Sequence, residues 1–151
     1  MSRALAAIGA LLALAFIVLG AAVYLTRSED RIAVDNLLAE DISRAFGTAE
    51  ERNADIDLGR VADDFEWDEL LMVRRGTPRK AISRELGREW KGDVGFQTGD
   101  LLIFLDGGEP ARFADYRGEG RFVGVQRPFA RFRRPQAVFT VDALAIRPRA
   151  G

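Results

Sequence analysis

Along the chain, apolar and polar positions fall into one long uninterrupted block followed by short amphipathic pieces. The block is Ala4–Leu25, ALAAIGALLALAFIVLGAAVYL, 22 residues without a charge. As a helix it would extend about 33 Å, enough to cross a hydrocarbon core of roughly 30 Å. Tyr24 falls near its far end, where an amphipathic ring suits the headgroup boundary. The pattern predicts a transmembrane anchor over residues 1–27. Arg3 and the amino terminus outweigh Arg27, which puts the N-terminus in the cytoplasm and the rest of the chain outside it. A cleaved signal peptide is the competing reading: Leu11–Leu19 has the length of an h-region, and Gly20-Ala21-Ala22 supplies small residues after it. With no cysteine in the sequence, lipid attachment through a lipobox is excluded.

Beyond the block the periodicity becomes helical. Ser28 can cap a helix with Glu29 and Asp30 in its first turn. Val34, Leu37, Leu38, Ile42, Ala45 and Phe46 form an apolar stripe interrupted only by Asp41, and Gly47 is its expected end. Residues 28–54 thus read as a juxtamembrane helix and linker, with the helix over 31–46. Thr48-Ala-Glu-Glu51 has capping-box form but no apolar run behind it.

Residues 55–151 read as an α+β domain. Ile56, Leu58 and Val61 alternate and suggest a short strand. Trp67–Val73 reads as a strand leaving through Arg74-Arg75-Gly76. Thr77 then caps a helix with Pro78 at its first position, Ile82 and Leu86 on one face, and Gly87 closing it in the left-handed conformation. Leu101–Leu105 is a continuous apolar strand of the kind buried on both faces. Asp106-Gly107-Gly108-Glu109 is a hairpin turn, and Pro110 opens the next strand, to Tyr116. Phe122, Val123 and Val125 suggest another strand, and Ala137–Val141 the last. The expected architecture is an antiparallel sheet of about four or five strands, with the 31–46 and 78–86 helices on one face.

Composition narrows the chemistry. With no Cys and no His, a thiol nucleophile, a Cys/His zinc site and a Ser-His-Asp triad are all impossible. Gly118 and Gly120 belong to no nucleotide-binding loop, and no cofactor motif is present. Charge is uneven although the net is −1. Residues 27–72 carry 14 acidic and 5 basic side chains, and residues 73–151 carry 9 acidic and 16 basic.

Two stretches carry candidate chemistry. Asp63-Asp64-Phe65-Glu66-Trp67-Asp68-Glu69 gathers carboxylates, and Asp64, Glu66 and Asp68 could pair as acid and base in a hydrolase. The run lacks the spacing of a calcium loop, so no metal site is expected. Arg127-Pro-Phe-Ala-Arg-Phe-Arg-Arg-Pro135 interleaves Arg127, Arg131, Arg133 and Arg134 with Phe129 and Phe132. Such a pattern fits anionic lipid headgroups or an anionic partner; otherwise it is a solvated loop with its two rings tucked into the core. Nucleic acid is the least favoured partner, because the expected compartment lacks it. Trp67 is either a core residue or, if exposed, an interface anchor.

The succession FEWDELLMV, TPRKAISRELGREW, DLLIFLDGGEPARFADY and QAVFTV resembles a family of small bacterial membrane-anchored proteins and lipoproteins. In that family a Phe-x-Trp-Asp strand leads to a short helix ending in Leu-Gly, then a hydrophobic strand, a Gly hairpin and a final Ala-x-Phe strand. The resemblance covers about residues 55–142 and brings no catalytic motif with it. The anchor, together with a compact domain that has no assembled catalytic set, gives the expectation of a single-pass inner-membrane envelope protein whose domain binds another protein or an envelope surface. A cleaved, secreted hydrolase using carboxylates and a basic module on anionic membranes are the alternatives.

Overall fold

The computed structural model describes residues 34–92, 99–125 and 128–149. The apolar block 4–25, Ser28 and Arg127 lie outside the described residues. Among the described residues, no helix is long and apolar enough to cross a membrane.

The centre of the fold is a four-stranded antiparallel sheet. It contains β2 (Glu69–Val73), β3 (Asp100–Asp106), β4 (Glu109–Tyr116) and β6 (Phe129–Arg133), in the order β4-β3-β2-β6. The inner strands β2 and β3 are apolar at successive positions, so alternation sends side chains into both faces. Leu70, Met72, Leu102 and Phe104 enter one core, whereas Leu71, Val73, Leu101, Ile103 and Leu105 enter another. Both cores need a cover.

The larger core is closed by α1 (Asn36–Arg52) and by a second sheet. That sheet is built from β1 (Asp55–Asp57), β5 (Arg121–Phe122), β7 (Val138–Asp142) and β8 (Ala145–Pro148), in the order β1-β7-β8-β5. β5 pairs with β8 in parallel, and the other contacts are antiparallel. Leu38, Ile42, Phe46 and Ala49 of α1 meet Ile56, Phe122, Phe139, Val141 and Ile146 from the second sheet. Phe122 sits edge-on to Phe46, Tyr116 and Phe139 at 5.3–5.6 Å between ring centres, an arrangement that suits aromatic quadrupoles. The smaller core is closed by α3 (Arg79–Leu86) through Ile82, and by Trp90, whose ring lies 5.0 Å from that of Phe113.

The α+β class and the antiparallel central sheet agree with the sequence. Several details are corrected. The two main helices cover opposite faces of the central sheet, because that sheet is apolar on both sides. The strands form two sheets; the second was hidden by the brevity of β1 and β5 and by β8, which follows two residues of positive φ, Ala143 and Leu144. α1 begins at Asn36, where the Asp35 side chain accepts from the Leu38 N–H at 2.9 Å. It runs through Gly47 to Arg52, since burial of Phe46 and Ala49 offsets a glycine cost of about 1 kcal/mol. Leu37 stays exposed. Ile56 lies in β1, but Leu58–Val61 forms a helical turn, α2, with Asp57 Oδ1 accepting from the Gly59 N–H. Thr77 is not the cap of α3. Its hydroxyl donates to the Arg74 carbonyl, and Pro78 occupies the cap position. Gly87 does close α3 in the left-handed conformation, and the Gly107-Gly108 turn joins β3 to β4 with both residues at positive φ.

Trp67 lies in the larger core, 3% exposed, and its indole N–H donates to the Ala62 carbonyl at 2.7 Å. Trp67→Ala should therefore destabilise the domain by about 3–5 kcal/mol, read as a fall in the denaturant midpoint; a change well under about 1 kcal/mol would contradict this packing.

Candidate functional site

The Arg/Phe stretch is not a loop. Residues 129–133 form the outermost strand of the central sheet, and Arg134–Gln136 a single 3-10 turn that carries the chain into the second sheet. The strand forms because Ala130 and Phe132 can be buried against the larger core while Phe129 packs on the smaller one. Its hydrogen-bond phase follows from its ends. The Arg134 N–H donates to the Asp68 carbonyl at 2.8 Å, and the Arg74 N–H donates to the Pro128 carbonyl at 2.9 Å. With Leu70 opposite Phe132 and Met72 opposite Ala130, the period-two ladder turns residues 130, 132 and 134 towards β2. The backbone groups of Phe129, Arg131 and Arg133 point the other way. Among the described residues nothing pairs with them. The opposite edge of the sheet is different: on β4 the Phe113 carbonyl accepts from the Asp35 N–H at 3.0 Å.

The side chains of the stretch are mostly engaged within the fold. Arg131 reaches Glu69 at 2.6 Å and Glu85 at 2.9 Å, joining β6 to β2 and to α3. Burial acts to lower its pKa, but the hydrogen bonds and charges of Glu85 and Glu69 prevail and hold it above the ordinary arginine value. Arg134 lies 5.1 Å from the centre of the Trp67 ring and donates to the Gly59 carbonyl at 3.1 Å. Phe132 stands edge-on to Phe139 at 5.3 Å. Only Arg133 is exposed and, among the described residues, without an ion-pair partner.

The acidic run is dispersed. Asp64 pairs with Arg112 at 2.8 Å, and Asp68 Oδ2 accepts from the Gly107 N–H at the hairpin, 3.2 Å away. Glu66 is exposed. Asp64 and Asp68 thus each serve a separate structural contact. Among the described residues, no group of three or more acidic side chains could hold a metal.

Two concavities were not anticipated. One, of about 530 Å³, runs between α1 and the β1–α2 segment and includes Arg52, Arg60 and Thr48. The other, of about 230 Å³, is lined by Phe46, Glu50, Glu119 and Tyr116. The first is lined by residues 41–61 alone, a local segment that carries no binding motif, whereas the second joins α1 to residues 116–146, which are distant in sequence. No family model, curated protein or solved structure matches this chain. Among the described residues, the strand edge is the part of this site that offers unused bonding groups.

That edge predicts an alternation in amide exchange. The N–H groups of Phe129, Arg131 and Arg133 should exchange at least about a hundredfold faster than those of Ala130, Phe132 and Arg134. Uniform protection along the strand would mean that the edge is already paired. A second expectation concerns Tyr116, where burial, with smaller contributions from Glu119 and Glu50, pushes the phenol from 10.0 to about 12, although a hydrogen bond with the Gly120 backbone acts in the opposite direction. A pKa raised on folding stabilises the fold fully below the unfolded value, and that stabilisation disappears as pH rises through the folded one. Stability should fall by about 2–3 kcal/mol between pH 10 and 12, and Tyr116→Phe should flatten that part of the profile.

Proposed function

We propose that the chain is a membrane-tethered, non-enzymatic binding module. Its anchor is the 4–25 block, with the N-terminus in the cytoplasm and the residues from about 27 onward outside. The domain receives an extended segment of a partner protein on the outer edge of β6. The observation that carries this reading is the row of outward-facing backbone groups at Phe129, Arg131 and Arg133. An unpaired edge is a template for a further strand, and main-chain hydrogen bonds supply the affinity of such additions. Charge on an edge strand also discourages indiscriminate pairing. Here the uncommitted charge, on Arg133, is positive, so it favours a segment with an acidic side chain opposite that position. A second copy of the same edge, paired antiparallel about Arg131, would set arginine against arginine.

Arg133 permits a clean test. Its φ is −63°, which proline adopts without strain, and its N–H faces outward, so no bond to β2 is lost. A photocrosslinker at the exposed Gln136, beside the end of the strand, should give a defined adduct in intact cells. Arg133→Pro should abolish that adduct, and Arg133→Gln, which keeps the donor, should only reduce it. No adduct, or one indifferent to Arg133→Pro, would remove the edge from function. The tether is tested separately: protease added to spheroplasts should degrade a C-terminal tag, and protection of the tag would reverse the orientation.

A further inference from the structure

We propose that the cleft between α1 and the β1–α2 segment is a binding site for a small organic carboxylate with an apolar body, independent of the β6 edge. The cleft, about 530 Å³, is of the size that holds small molecules. Its walls bring together Ala45 and Ala49 of α1 and Ile56 and Val61 of the facing segment, which would cover an apolar body.

The charges around it are unequal in what they have left to bond. Three aspartates line the cleft, and each is already engaged. Asp41 pairs with Arg44 at 2.8 Å. Asp55 accepts from the Thr140 hydroxyl at 2.9 Å and pairs with Arg149 at 3.0 Å. Asp57 accepts from the Gly59 N–H at 2.8 Å. Arg44 is also held by Glu40. The remaining lining charges, Arg52 on one wall and Arg60 on the other, have no ion-pair partner among the described residues. A neutral or cationic guest would leave both guanidiniums unused, whereas a carboxylate can accept from guanidinium donors in the charge-assisted geometry that arginine favours. The Thr48 hydroxyl lies on the same lining and adds a neutral donor. The apolar walls favour a carboxylate over a free inorganic anion, which would leave them covered only by water.

The test uses the full chain in phosphatidylcholine nanodiscs, with 4-phenylbutanoate as the probe, 4-phenylbutanamide as its neutral counterpart, and inorganic phosphate as the bare anion. The Thr48 and Ile56 methyl resonances should shift saturably with the carboxylate. The amide should bind about tenfold or more weakly, and so should the carboxylate to the Arg52→Gln/Arg60→Gln variant. That variant should keep the wild-type unfolding midpoint, since both side chains are exposed and unpaired. Arg133→Gln should bind the carboxylate as wild type does, which keeps this site distinct from the strand edge. Absence of saturable shifts at millimolar carboxylate, equal binding of the amide or of phosphate, or undiminished binding by the double variant would each overturn the proposal.

Discussion

The fold depends on one constraint: its two inner strands are apolar on both sides. LLMV in β2 and LLIFL in β3 place a large side chain at nearly every position, so alternation cannot leave either face to water. The smaller face can be closed by an eight-residue helix and one tryptophan, because Ile82 and Trp90 are both bulky and both fully buried. The larger face cannot, and the chain spends α1 and an entire second sheet on it. That second sheet exists to cover the first. Its strands are short because each contributes only a few buried residues to the shared core, such as Ile56, Phe122, Phe139 and Ile146.

Arginines connect these layers. Arg74 pairs with Asp100 at 2.8 Å and also donates to the Phe122 carbonyl, so it joins the end of the central sheet to β5. Arg131 joins the outer strand to α3, and Arg134 lies over Trp67 while bonding to the α2 turn. The positive charge of the C-terminal half is therefore largely structural. Among the described residues, the groups these contacts leave unused include a backbone edge with Arg133 beside it, and the separate Arg52 and Arg60 in the cleft.

Legibility in the sequence followed the range over which each signal acts. The Gly107-Gly108 turn and the Gly87 helix end were readable because positive φ is a property of one or two residues. The two-sided burial of β3 was readable because five apolar residues in succession leave little choice. The distribution of helices over the two faces was not, because Ile42 and Ile82 look alike until the sheet assigns them to opposite sides. The Arg/Phe stretch misled for a similar reason. Three of its five strand residues have outward-facing backbone, and the burial that makes it a strand comes from Phe139 and β2, partners outside the stretch. Trp67 was recognisable as important, but its place in the core was settled by Phe104 and Ala62, neither of which its own segment specifies.

The position of residues 34–35 has a mechanical consequence. The chain joins the central sheet at β4, where Val34 bridges to Phe113 and Arg112 grips Asp35 at 3.2 Å. The edge without a pairing partner among the described residues is on β6, with β3 and β2 between. On the proposed reading, a pull between a membrane tether and a partner held on β6 would run across the strands, placing three ladders in series under tension. The ties that resist it lie at the two outer strands: Arg112 bound to Asp35 and Asp64 on one side, and Arg131 bound to Glu69 and Glu85 on the other. The domain would then act as a load-bearing link, with its ion pairs placed where the force enters and leaves.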